Sequence, residues 1–133
     1  VAMWLIDHQM NMAISNEFGQ YFVRLPLKKS ATIINGNALR INWEEIIPKT
    51  KLSYILGNPP FIGKKEQKEN QKEDMKFVYG SINGFGVLDY VTAWYIKAAR
   101  FLQDTKIKAA FVSTNSISQG EQVGILWNIL FHH

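Results

Sequence analysis

The stretch Leu52–Phe61, Leu-Ser-Tyr-Ile-Leu-Gly-Asn-Pro-Pro-Phe, decides how the rest of the chain is read. Ser53-Tyr54-Ile55-Leu56 is a short apolar run with one aromatic and one β-branched residue, and Gly57 and two prolines end it. That pattern predicts a buried strand stopping abruptly in a rigid loop. Asn58 stands at the strand's end, with an amide that both donates and accepts. Pro59 and Pro60 have no N–H, so their carbonyls are free acceptors on a stiff backbone. Phe61 adds a flat aromatic face. One amide acceptor, one fixed carbonyl and one stacking surface make a site for a planar ring bearing an amino group.

Upstream of this loop, Val1–Asn16 has a helical period, with Val1, Trp4, Leu5, His8 and Met12 on one face. A single histidine on such a face is more often packing than a ligand. Phe18-Gly19 and Leu25-Pro26-Leu27 break the pattern. Ala31-Thr32-Ile33-Ile34 reads as a short strand closed by the turn residues Asn35-Gly36-Asn37. Asn42–Ile47 suggests a helical turn capped by Asn42 and stopped by Pro48.

Downstream, Lys64–Lys76 is a charged run. Either it is a solvated loop, or it is a helix with Lys64, Lys68, Lys72 and Lys76 on one face, able to follow a phosphate backbone. Gly80, Gly84 and Gly86 read as a turn or hinge. Asp89–Leu102 is the clearest helix, with Tyr90, Trp94, Ala98, Phe101 and Leu102 on one face and Asp89 at its N-terminus. Lys108–Ser113 reads as a third strand. Ser118-Gln119-Gly120-Glu121 has the spacing of a capping box, opening a helix with Val123, Leu126, Trp127 and Leu130 on one face. Helices and strands alternating in this order predict an α/β fold, a parallel sheet covered by helices. Its ligand is expected beyond the carboxyl ends of the strands, where Gly36-Asn37, Gly57-Asn58 and Thr114-Asn115 fall.

Composition narrows the classes. A chain of 133 residues suits one domain, and 47% hydrophobic residues suffice for a core. No cysteine is present, which excludes a disulfide scaffold and a thiolate metal site and fits a cytoplasmic protein. No apolar stretch reaches membrane-spanning length, so no membrane partner is expected. A net charge of +4 permits a phosphate-rich partner without demanding one.

Asn58-Pro59-Pro60-Phe61 resembles the catalytic motif of S-adenosylmethionine-dependent methyltransferases acting on exocyclic or amide nitrogens, above all the DNA adenine-N6 enzymes. Asn35-Gly36-Asn37-Ala38-Leu39 resembles the segment that holds the cofactor's adenine, although many relatives carry Asp where Asn37 stands. Asp89–Trp94 resembles the helix after the catalytic loop, and Phe111–Asn115 the fifth strand. Together these segments look most like the large type II restriction-modification enzymes that fuse a nuclease to an adenine methyltransferase. The resemblance implies a Rossmann-like class I methyltransferase domain. Asn58, Pro59, Pro60 and Phe61 would be catalytic, and Asn37, Ala38 and Leu39 would bind S-adenosylmethionine. Lys64, Lys65, Lys68 and Lys72 would contact double-stranded DNA with a flipped adenine, and no metal is implied. Cytosine-N4 enzymes of this class more often carry Ser in place of Asn58, which favours adenine.

The family's Gly-rich turn and the acidic residue that holds the cofactor's ribose are not found. Neither is a target-recognition region or a nuclease. The expectation is therefore that residues 1–133 are the central part of a catalytic domain, inactive alone. In that case the Leu56 strand has an open edge, and the chain self-associates or covers the edge with Thr32–Ile34. Two alternatives remain open. Protein-glutamine methyltransferases also use Asn-Pro-Pro, usually with Tyr where Phe61 stands. A non-catalytic interaction domain on the same fold would not need Asn58.

Overall fold

A computed structural model describes residues 2–19 and 32–132. Val1, Leu25-Pro26-Leu27 and Ala31, which carry part of the sequence pattern, lie outside the described residues. The chain divides into two units, Val1–Asn35 and Gly36–His133.

The first unit holds helix α1, Ala2–Phe18, slightly longer than the periodicity predicts. It ends where Gly19 takes φ +62, a left-handed conformation that suits glycine. Leu5 and Met12, expected on a packed face, are exposed. Thr32–Ile34 forms no strand, contrary to expectation, and Ile33 is 89% exposed. β-propensity describes fit to a sheet surface, and no ladder forms at this segment to supply one.

In the second unit, Asn42 caps the one-turn helix α2, Trp43–Ile46, its side chain accepting from Glu44 N at 3.1 Å. Strand β1, Tyr54–Gly57, follows. The charged run resolves into a turn at residues 64–66 and then helix α3, Glu69–Tyr79. Its inner face is Asp74, Met75, Val78 and Tyr79. Lys64 therefore lies outside the helix and Lys68 is its cap residue, so the four-lysine helical stripe does not form. Helix α4, Thr92–Leu102, starts three residues later than the sequence pattern predicts: Val91 is its cap residue, and residues 89–91 form a turn in which Asp89 O accepts from Thr92 N at 3.0 Å and from Thr92 Oγ1 at 2.7 Å. Strand β2 is shortened to Lys108–Phe111.

The last helix, α5, spans Gln122–Phe131. The predicted capping box is not made: Glu121 is the cap residue with no side-chain cap bond, and Ser118 Oγ donates to Asn115 O at 3.1 Å. A short 3-10 turn over Asn115–Ile117 places that carbonyl within reach of the serine, a local competitor that the box spacing does not register. The deepest residues of α5 are Gln122, Leu126 and Ile129, one position round from the predicted face.

Among the described residues the sheet has two strands rather than three. β1 and β2 run parallel, with Tyr54 opposite Lys108 and Gly57 opposite Phe111. The core lies away from the sheet, among α3, α4 and α5, where Leu39, Met75, Tyr79, Leu88, Ile96 and Leu126 are almost fully enclosed. β1 is not buried as predicted: Tyr54 and Leu56 are 62% and 66% exposed. They line an apolar cleft of about 260 Å³ with Trp43, Ile46, Ile47 and Leu52. Among the described residues β2 is β1's only strand neighbour.

Because Leu126 sits at the centre of the helical core, Leu126→Ala is expected to cost about 2–5 kcal/mol. Urea unfolding of the chain measures it, and Leu56→Ala on the open face should cost well under half as much.

Candidate functional site at the carboxyl end of the sheet

Parallel pairing brings the carboxyl ends of β1 and β2 to one edge. Val112 N donates to Gly57 O at 3.0 Å, so the two chains stay paired up to the start of the Asn58 loop. Beyond it Asn58 is exposed, Pro59 is buried, and Pro60 and Phe61 are exposed. Among the described residues the Asn58 amide has no hydrogen-bond partner. The proline next to it is held by packing, so a free amide projects from a fixed backbone.

The far end of the loop is tied down with equal care. Ile62 O accepts from Tyr90 N at 2.9 Å. Asp89 Oδ1 accepts from Lys64 N at 3.2 Å, and Asp89 Oδ2 from Gln122 Nε2 at 2.8 Å. Gln122 Oε1 completes the exchange by accepting from Asp89 N at 3.0 Å. Asp89 and Gln122 thus join the loop, the start of α4 and the start of α5. At the end of β2, the buried Ser113 Oγ has no partner among the described residues. A buried hydroxyl without a protein partner is uncommon.

The turn Asn37–Ile41 is the second half of the expected site. Its Leu39 side chain is completely buried in the core and anchors the turn, while Asn37 and Ala38 are exposed. Asn37 Oδ1 accepts from Leu39 N at 2.9 Å, and Asn37 Nδ2 donates to Asp74 Oδ2 at 2.8 Å. The same carboxylate accepts from Tyr90 OH at 2.7 Å and pairs with Arg40 Nε at 2.5 Å. Burial would raise the Asp74 pKa, but bonds from Tyr90, Arg40 and Asn37, with the Arg40 charge, outweigh it and hold it below the ordinary 3.8. Lys97 Nζ donates to Ala38 O at 2.8 Å, Leu39 O at 2.9 Å and Ile41 O at 2.5 Å. Burial lowers its pKa.

The sequence pattern singles out neither Asp74 nor Lys97. Asp74 sits in the charged run, but Met75, Val78 and Tyr79 follow at helical spacing, which is the available signal that this part of the run faces inward. Of the predicted DNA-contacting lysines, Lys65 and Lys68 are exposed and separate. Lys64 and Lys72 instead meet Lys76 around a cleft of about 150 Å³ with Gln67, Phe85 and Gly86. Surface partners, Glu121 at 3.4 Å from Lys64 and Glu69 at 3.6 Å from Lys72, hold two of these lysines loosely.

An Asn-Pro-Pro-Phe loop at the carboxyl edge of a parallel sheet is the arrangement that the methyltransferase resemblance leads one to expect. The chain belongs to the family described as MmeI, DNA-methyltransferase domain, whose model matches residues 1–133. It is 42% identical over 135 residues to DNA methyltransferase A of Bacillus subtilis (strain 168), covering 98% of this chain and 15% of that protein. It also resembles a solved structure of the Type IIL restriction-modification enzyme MmeI in complex with DNA, with a TM-score of 0.77 and 53% identity. That match covers 98% of this chain and 18% of the MmeI chain. The chain therefore spans less than a fifth of the length of these relatives. Among the described residues no helix is long and apolar enough to cross a membrane.

The depressed pKa of Asp74 has a sign that can be checked. Its stabilising contribution is complete above the unfolded value near 3.8 and is lost as pH falls through the lower folded value. Asp74→Asn should lower the urea midpoint at pH 7 and flatten its fall below about pH 4 relative to the parent chain. An unchanged acid limb would remove Asp74 from the linkage.

Proposed function

We propose that this chain is the central part of the catalytic domain of a DNA methyltransferase that transfers a methyl group from S-adenosylmethionine to adenine N6, within a restriction-modification system in the cytoplasm. The observation that carries this reading is the free, exposed Asn58 amide on a loop fixed at both ends. A Rossmann-like sheet, of which β1 and β2 are the part on view, is the architecture this reading takes.

The adenine N6 lone pair is delocalised into the ring and is a poor nucleophile. Asn58 Oδ1 and the Pro59 carbonyl each accept one N6–H. Two acceptors out of the ring plane favour a pyramidal nitrogen and release its lone pair. No charged base is needed, because the acceptors are fixed before the reaction begins. Phe61, nearly half exposed, offers its face to the base after it leaves the duplex, an interaction worth about 1–3 kcal/mol. The turn Asn37–Leu39 suits the cofactor's adenine: Ala38 is small and exposed, and its N–H has no partner among the described residues. S-adenosylmethionine, when bound, supplies an electrophilic methyl on a sulfonium. Lys64, Lys65, Lys68 and Lys72 lie on the segment following Phe61 and face DNA phosphates.

In the full-length enzyme, Asn58→Ala should lower turnover on duplex DNA by on the order of 10²–10³, with cofactor affinity little changed. Wild-type turnover, or methylation of a glutamine-bearing peptide instead of DNA, would refute the assignment. Lys64→Ala with Lys72→Ala should weaken DNA binding evenly across sequences, reducing the salt slope by roughly one for each phosphate left unneutralised. The edge of β1 that is unpaired among the described residues should also make the isolated chain self-associate, which light scattering would detect as a species larger than 15.3 kDa.

A further inference from the structure

The turn Asn37–Ile41 is held by more bonds than an exposed turn requires. Asn37 O accepts from Arg40 N at 2.9 Å and Ile41 N at 3.0 Å, as any tight turn would allow. Ala38 O is shared between Lys97 Nζ and Trp43 Nε1, the latter at 2.9 Å. The Lys97 ammonium also lies 5.0 Å from the Trp43 ring centroid. From the other side Asp74, only 5% exposed, grips both the first side chain of the turn and Arg40. A carboxylate and an ammonium, drawn into the protein from two different helices, converge on five residues. Desolvating charges is costly, and apolar replacements of buried ion pairs are often as stable or more so. What such groups supply that apolar ones do not is fixed direction.

We propose that Asp74 and Lys97 are positioning residues for S-adenosylmethionine: they set the shape of the Asn37–Leu39 turn, through which they act on cofactor affinity without touching the cofactor. This rests on the reading of that turn as the adenine segment. The Asn37–Asp74 bond has a defined polarity. At 2.8 Å from Asp74 Oδ2, position 37 must present a donor. A carboxylate there would meet a second carboxylate. Asn37 is therefore the partner that Asp74 requires, and the pair should work with its polarity reversed.

The test is a double-mutant cycle in the full-length methyltransferase, with cofactor KM and kcat measured separately on duplex DNA. Asp74→Asn should raise cofactor KM on the order of tenfold with kcat at saturation nearly unchanged. Asn37→Asp should raise it at least as much. The double variant should recover most of the loss, a rescue that general destabilisation would not produce. Folded, methylating single variants with unchanged KM, or a double variant no better than its parents, would overturn the proposal. If Asp74→Asn does not fold, Tyr90→Phe removes one of the same carboxylate's donors: a raised cofactor KM supports the proposal and an unchanged one refutes it. Ala38→Trp separates the two levels of inference. If it raises KM while the Asp74 variants do not, only the positioning role fails. If it too leaves KM unchanged, the turn is not the cofactor segment.

Discussion

The buried carboxylate of Asp74 is the point from which the second unit is assembled. It belongs to α3, yet its partners are Asn37 and Arg40 in the preceding turn and Tyr90 before α4. These bonds span 37, 34 and 16 residues of chain, so closing them fixes the mutual placement of three segments that share no hydrogen-bonded ladder. Removing one donor from such a cluster leaves the enclosed carboxylate with a bond unmade, which costs more than losing a surface pair. Leu39 then becomes a core residue because the turn is drawn down onto α3 and α4.

A second polar junction does for the Asn58 loop what Asp74 does for the turn. Asp89 and Gln122 exchange two hydrogen bonds, and Asp89 also takes the Lys64 N–H. Tyr79 OH continues the network by donating to Thr92 Oγ1 at 2.8 Å. Both candidate segments therefore follow one plan, in which a short exposed stretch is pinned by buried polar groups of the helices. Side chains that would meet a substrate are left out of the pinning at Asn58 and Phe61, whereas Asn37 is used up in it.

Local chemistry is legible wherever a residue acts on its near neighbours. The Asn42 cap, the end of β1 at Gly57 and the parallel sense of the sheet can all be read from spacing, residue type and the order of elements. What fails is what depends on partners elsewhere. Thr32–Ile34 has strand-like residues and forms no strand. Ser118 and Glu121 have the box spacing, yet the serine bonds to Asn115 O instead. Asp74 looks like one more charge in a solvated run, since its donors lie far away in the chain. Lys97 is hidden for the same reason: nothing around it in α4 hints at three carbonyls some 56–59 residues upstream.

Gly57 carries a consequence for how such a loop is aimed. A Cβ at this position would come within 2.9 Å of Phe111 Cδ1, on the residue paired with it across the sheet. That ring is itself braced edge-on by Tyr95 at 5.4 Å. The backbone thus slides over a fixed aromatic surface just before Asn58, and the direction in which the chain leaves the sheet is inherited from that surface. A single methyl at residue 57 would press on that ring and re-point the amide that follows. In mechanical terms the glycine and the ring form a fixed bearing, and the Asn58 loop is the arm mounted on it.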